Sequence, residues 1–396
     1  MNFVLISPQF PKTYWKFAEA LKLNGFTVLG IGDSPYNQLS DEVRSNLTEY
    51  YYCPGMTDYR ELFRAMAFFS YKYGKIDWVE SNNEFWLQMD ASLRTDFNIT
   101  TGIQTSDISK YKSKSEMKKY YQLAKVPTAR FQLTADFSKA FEFVATVGYP
   151  IFIKPDIGVG AVSSFKIENE TQLQSFFNTK DDSQYLMEEF IDGTIVSFDG
   201  IADSSSDVVF CSTHEFPVPN NDVVNNLDDD FYFTLPVVPP DLEAVGKATV
   251  KAFQVQKRFF HLEFFRLNKD YEHLGPKGTI CALEVNMRPA GGYTPEMINA
   301  SLGTSCYKIW ADVMAFDETR QPLSNQRFFC AEAARRDKFT YLHSHEEIIA
   351  KYQNALVMAD RYPPIINVGM GDQFYIVKLS NRSEVDLFRD FVLAKK

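Results

Sequence analysis

The first 105 residues alternate short apolar runs with segments of helical spacing, and few architectures accept that order. "NFVLIS" (2–7) is almost wholly apolar, as a strand covered on both faces of a sheet must be. "TYWKFAEALKLNG" (13–25) has helical spacing and stops at Gly25, which suits a helix C-cap. "FTVLGIG" (26–32) reads as strand, "YRELFRAMAFFSYKYG" (59–74) as helix and "IDWVES" (76–81) as strand. The alternation predicts a doubly wound parallel sheet over about residues 1–105. A dinucleotide fold would carry Gly-x-Gly-x-x-Gly after the first strand, where this chain has Ser7-Pro8-Gln9-Phe10-Pro11. The shape is therefore Rossmann-like, without a nicotinamide or flavin fingerprint.

A second unit begins near a Lys-rich helix within 107–131, broken before Pro127. Residues 147–167 read as strand, glycine-containing turn and strand; 185–201 read as a further pair of strands around Gly193. The acidic stretch 220–236 reads as a loop, 241–255 as a helix, and 259–267 with 279–288 as a hairpin. The tail from about 321 alternates strand and helix again.

With 45% apolar and 15% aromatic residues the chain can bury a large core. Its net charge of −10 argues against a general binder of nucleic acid or of membrane surfaces. Five cysteines, an odd number with no Cys-x-x-Cys, predict reduced thiols and a cytoplasmic setting. No run of about 18 apolar residues predicts a membrane span, and the start reads as a strand rather than a signal peptide. Walker A, Gly-x-Ser-x-Gly, the protein-kinase motif set and zinc-type His spacing are all missing from the sequence.

The densest polar signal is "ALEVNMRPAGG" (282–292). Glu284, Asn286 and Arg288 alternate, so in a strand they share one face of an otherwise apolar segment. With Glu263 from "HLEFF", Glu284 and Asn286 offer two carboxylates and an amide oxygen, a hard-oxygen set suited to Mg²⁺ beside phosphates. Arg288 is a planar fork for an oxyanion. Gly291 and Gly292 would let a substrate approach the backbone. Lys154 ends the apolar run "YPIFIKP", where an ammonium is costly unless it meets an anion. Lys114 lies three residues before Met117 and thirteen before Pro127. "GVGAVSS" (158–164), with Gly158, Gly160, Ser163 and Ser164, is a small-residue turn whose amides could cradle phosphate. "MEEFI" (187–191) contributes Glu188, Glu189, Phe190 and Ile191.

In this order and at these separations the set resembles the ATP-grasp superfamily, most closely carboxylate–amine ligases of the L-amino acid ligase type and more distantly biotin carboxylase. The resemblance implies an α/β and α+β chain. Its parts would be a Rossmann-like pre-ATP-grasp domain (1–105), an ATP-grasp domain (106–320, phosphate-loop subdomain about 127–195) and a C-terminal α/β extension (321–396). It implies ATP and Mg²⁺, with Mn²⁺ able to substitute, and small-molecule carboxylate and amine substrates. It allows a homodimer. Glu263, Glu284 and Asn286 would hold metal. Arg288, Asn286 and Lys154 would serve the chemistry. Lys114, Lys154, Gly158, Gly160, Ser163 and the 188–191 hinge would hold the nucleotide, with Glu188 accepting from the adenine amine. Two departures stand out. The phosphate loop is glycine-poor, and Ile195 occupies a position that is acidic in many relatives, which leaves Glu189 as the substitute for ribose recognition. The sequence also leaves open a bicarbonate-activating carboxylase, although it has no Ala-Met-Lys-Met biotinylation motif. A non-catalytic nucleotide-binding regulator is a third reading.

Overall fold

The first sheet is built as the alternation predicts. Strands β1 (Asn2–Ile6), β2 (Thr27–Gly32), β3 (Glu49–Tyr52) and β4 (Trp78–Glu80) pair in parallel in the order β3-β2-β1-β4. The helix Trp15–Leu23 ends at Asn24, and Gly25 follows at φ +81°, the left-handed conformation glycine takes without penalty. This computed structural model describes residues 1–134, 136–158, 164–218, 223 and 226–396.

A small antiparallel sheet follows. It contains β5 (Phe131–Leu133), β6 (Ile151–Pro155), β7 (Phe165–Ile167) and β8 (Tyr185–Glu189) in the order β5-β8-β6-β7. Its inner face packs on the helices Phe137–Val147 and Glu170–Thr179 through Ile151, Ile153, Leu173 and Met187.

The large sheet has eight strands. β9 (Gly193–Ala202), β10 (Val208–Phe216), β11 (Asp230–Thr234), β12 (Arg258–Leu267), β13 (Ile280–Asn286), β14 (Phe329–Arg335), β15 (Leu356–Arg361) and β16 (Gln373–Leu379) run in the order β13-β12-β9-β10-β11-β14-β16-β15, every pair antiparallel. The tail strands thus extend the same sheet that carries Glu263 and Glu284. Phe3 and Phe17 of the N-terminal unit meet Trp310 of the helix Cys306–Phe316 at ring distances of 5.5 and 5.0 Å. This aromatic seam sets the first unit against the large sheet through Ile201 and Phe259.

Two expectations change. β8 and β9, read as a pair around Gly193, belong to different sheets. Ile191 anchors the crossing segment in a core with Leu267 and Cys281, so the chain steps from one sheet to the other. The acidic stretch 220–236 is not a loop throughout, because Asp230–Thr234 is a fully buried strand between β10 and β14. Its aromatic run Phe231-Tyr232-Phe233 outweighs the three aspartates before it. Residues 220–222, 224 and 225 lie outside the described residues.

Candidate active site

The register of three strands draws the site. On β12 and β13, Glu263 is opposite Glu284 and His261 is opposite Asn286. On β9, Ser197 is opposite Glu263 and Asp199 is opposite His261. Directly opposed residues share a sheet face, so three neighbouring strands present two polar rows side by side. His261, Glu263, Glu284 and Asn286 of these rows form one wall of a cavity of about 780 Å³, with Ser197 and Asp199 behind them.

The small sheet and a helix form another part of that wall. Lys154 on β6 and Glu188 on β8 lie on one face in diagonal register, with Lys154 Nζ 2.5 Å from Glu188 Oε2. Lys118 pairs with the other oxygen of Glu188. Lys114 Nζ is 3.0 Å from Glu284 Oε1. The helix Lys114–Leu123 puts these two lysines one turn apart, on the face that also buries Met117 and Tyr121. Its N-terminus is pinned: Ser113 caps the Glu116 amide and donates to Asp156 at 2.7 Å, and the Ser115 amide donates to the same carboxylate at 2.7 Å. Asp156 directly follows β6, so one carboxylate fixes Lys114 relative to Lys154.

The charges are strongly coupled. Burial would push the Glu188 carboxyl up, but Lys118 and Lys154 overcome it and hold it at about 2. For Glu284, burial is likewise outweighed by Lys114 and Lys154, and its pKa falls. Glu263 goes the other way: burial raises it, and the Glu284 charge adds to that against the opposing His261. Asp199 bridges two imidazoles, His261 Nδ1 at 2.5 Å and His214 Nδ1 at 2.8 Å. Those two outweigh its burial and hold it well below the usual carboxylate range.

Most of the predicted residues come together here. Lys114, Lys154, Glu188, Glu263, Glu284, Asn286 and Arg288 all line the one cavity, as do Glu189, Phe190 and Ile191. Gly160 and Ser163 lie outside the described residues, and Gly158 is at the edge of that gap. Three roles are revised. The Glu188 carboxylate is clamped by two lysines rather than left for an adenine amine. Glu189 accepts from the Arg130 amide and guanidinium and pairs with His273 at 2.6 Å, so it has little left for a ribose. Arg288 lies in the bend after β13, not on the strand; its Nη1 donates to Pro289 O at 2.8 Å, and it makes no salt bridge among the described residues. Gly292 has a local reason: at φ +62°, a Cβ there would meet Met370 Cε at 2.3 Å. Gly291 has open space around it.

Sequence reasoning missed Lys118, Asp199 and Asp230. Ser197 and Asp199 alternate on an apolar strand just as Glu284 and Asn286 do, and that pattern was available. Lys118 stands four residues after Lys114 and was legible as the same helix face.

Two carboxylates and an amide on adjoining strands fit Mg²⁺ completed by phosphate oxygens. The buried Glu263, opposite Glu284 and paired among the described residues only with His261 Nε2 at 3.8 Å, is the observation that favours this fit: burial and the Glu284 charge outweigh His261 and raise it. Among the described residues no group of three or more His, Cys, Asp or Glu could hold a metal by itself. No helix among them is long and apolar enough to cross a membrane.

No family model matches the chain. An L-arginine-specific L-amino acid ligase of Bacillus subtilis is 23% identical over 262 residues, 63% of this chain, and the match spans 60% of that relative's length. The crystal structure of an L-amino acid ligase from Bacillus licheniformis superposes with a TM-score of 0.71 at 14% identity, covering 98% of this chain and 95% of that one. The biotin carboxylase domain of Hydrogenobacter thermophilus 2-oxoglutarate carboxylase, in complex with MgADP, ADP and bicarbonate, gives 0.71 at 15% identity over 100% of this chain and 90% of that one. The chain has the ATP-grasp fold. The cavity runs between β6–β8 of the small sheet and β12–β13 of the large one. Phe190, stacked on Phe152 at 6.0 Å, and Ile191 give its hinge end an apolar lining.

Proposed function

We propose that the chain is an ATP-dependent carboxylate–amine ligase that releases ADP and phosphate. One observation carries this reading: lysines and an arginine share a cavity with the opposed pair Glu263 and Glu284. Cations beside a metal-type carboxylate pair suit phosphoryl transfer, which needs charge neutralisation and positioning more than a protein nucleophile.

A substrate carboxylate oxygen attacks the γ-phosphorus, the bond to the β-phosphate oxygen breaks, and ADP leaves. An amine nitrogen then attacks the acyl carbon; the C–N bond forms, the C–O bond to phosphate breaks, and the amine loses a proton. Lys154 and Lys114 hold phosphate oxygens. Arg288, with no carboxylate of its own among the described residues, holds the acid. Glu263, Glu284 and Asn286 would hold Mg²⁺, which supplies charge neutralisation when bound. Lys114 now neutralises Glu284 and would turn to the phosphates as ATP enters. Phe190 and Ile191 flank the base. The Lys118–Glu188–Lys154 clamp positions Lys154. The division at about 105 and 320 is proposed to separate the pre-ATP-grasp, ATP-grasp and C-terminal parts. The five free cysteines support a cytoplasmic setting.

The test is an ADP-release screen with ATP and Mg²⁺, offering amino acids singly and in pairs, and bicarbonate in parallel. Release that needs both an acid and an amine supports the ligase. Release driven by bicarbonate alone moves the protein to the carboxylases, and nucleotide binding with no release makes it a regulator.

A further inference from the structure

The cavity has a second lobe that phosphate chemistry does not use. Beyond Arg288 its wall includes Phe216, Tyr232, Thr294, Ile366, Val368 and Met370. One carboxylate, Asp230, interrupts this mostly apolar wall. β11 places Asp230 and Tyr232 on the cavity side, while Phe231 and Phe233 point into the core behind.

Asp230 is 6% exposed and forms no salt bridge among the described residues. Its neighbour shows the contrast. Asp229 accepts from the Arg336 amide at 3.1 Å and the Tyr341 hydroxyl at 2.5 Å, and lies 2.9 Å from Lys395 Nζ. Arg336, the charge that Asp230 senses at a distance, has its guanidinium committed to the carbonyls of Asp228, Val223, Asn367 and Val368. With no ion pair among the described residues, Asp230 is pushed by burial up to about 7, against the Phe231 amide and the distant Arg336 charge. The lobe is tied to the Arg288 turn through Tyr232 Oη and Thr294 Oγ1, 3.0 Å apart, and a 2.6 Å bond from Thr294 to Gly291 O. One end of the cavity is therefore cationic, and the other holds a buried carboxylate with no ion pair among the described residues; the Phe231 amide and the more distant Arg336 only partly offset its burial. Such an anion is costly unless a ligand brings the matching cation.

We propose that Asp230 receives an ammonium group of the substrate, so that this lobe selects an amine-bearing molecule with an apolar remainder over a plain carboxylic acid. The proposal rests on the ligase reading for the acid's position, and its test separates the two. Acyl phosphate is trapped as a hydroxamate with hydroxylamine, which is neutral at pH 7.5 and brings no ammonium. Leucine and 4-methylpentanoate, which differ by the amine, are compared in the wild type and Asp230→Asn; every other amino acid active in the ADP screen is compared with its deaminated counterpart. The wild type should favour the amino acid by about 10²-fold in kcat/KM, and Asp230→Asn should erase that preference. A loss confined to coupling with an amine acceptor assigns the ammonium to the acceptor and also supports the proposal. An unchanged preference and unchanged coupling in Asp230→Asn overturn it, since a neutral amide would then serve as well as the anion. If no acid is turned over, the ligase reading fails, and binding decides the proposal separately. With ADP and Mg²⁺ present, amino acids should raise the melting temperature of the wild type more than that of Asp230→Asn, while their deaminated forms do not discriminate. No difference between the two proteins overturns the proposal. A matched shift with ADP alone shows that the variant is folded.

Discussion

Glu188 and Glu332 are both buried strand carboxylates, yet they hold their protons at opposite ends of the scale. Glu188 sits between Lys118 and Lys154 and is held at about 2. Glu332, with no ion pair among the described residues, is pushed by burial up to about 8, although the Tyr362 and Tyr232 hydroxyls donate to it at 2.6 and 3.1 Å. Desolvation is common to both; two cations bring Glu188 down, while the Asp230 charge adds to the rise of Glu332. The same contrast divides the cavity. Its phosphate end is a lattice of ion pairs, whereas Asp230 at the substrate end has none among the described residues. Under the proposed ligase reading the first end would hold a fixed polyanion, and the second would be completed by the ligand.

The largest effect should come from breaking the ion-paired end at its metal-type pair. Glu284→Gln keeps shape and loses charge, so ADP release should fall on the order of 10³-fold at saturating Mg²⁺. Little stability should be lost, because Lys114 can turn to solvent or phosphate. Wild-type turnover in this variant removes Glu284 from the metal site.

Next is Lys154→Met, which leaves Glu188 with one cation. ATP should bind about 10²-fold more weakly, and stability should fall by about 2 kcal/mol, since a buried charge loses half its compensation. Lys119→Met is the control, because Lys119 is exposed and, among the described residues, its ion pair is with Glu116 alone. Lys112 would be a poor control, as its pair with Glu84 is itself buried. Equal calorimetric ATP titrations for the two variants would take Lys154 out of the nucleotide site.

Arg288→Lys probes the border between the two ends. It keeps charge and loses the fork, so acid-dependent ADP release should drop about 10²-fold while ATP affinity stays near normal. A collapse of ATP affinity would instead put Arg288 with the phosphates.

How much of this was legible depends on where each partner comes from. The parallel sheet was readable because strands such as Asn2–Ile6 and Thr27–Gly32 must be apolar to be covered on both faces. Glu284 and Asn286 were readable because polar residues at alternate positions on an apolar strand need a shared reason. The clamp on Glu188 was not, since its two lysines arrive from a distant helix and a neighbouring strand, and only register brings them together. Asp199 failed for the same cause: its partners are His261 on β12 and His214 on β10. Asp230 was hidden by the acidic residues beside it, which read as solvated until the strand buries one and pairs another. Gly292 suited a substrate approach in the sequence, but its neighbour is Met370.

The smallest effect, and the one that isolates the cation-free carboxylate, is a pH slope. Glu332 carries its proton in the folded state up to about 8, whereas in the unfolded chain a glutamate loses it near the ordinary value of about 4.3. Between those values the folded state binds one more proton than the unfolded state. Stability from this group is therefore present below the unfolded pKa and declines as pH rises towards the folded one, by about 1.4 kcal/mol per unit. From pH 6.0 to 7.5 the loss should approach about 2 kcal/mol. Glu332→Gln removes the titration while keeping an acceptor for one tyrosine, so its stability should be flatter across that interval. Glu188 has the opposite sign, and its contribution is lost only as pH falls from the unfolded value towards about 2, so it leaves this window untouched. Urea unfolding of the wild type and Glu332→Gln at both pH values measures the difference in slope. Parallel slopes would mean that a cation reaches Glu332 in solution, and the contrast between the two carboxylates would then not rest on their neighbours.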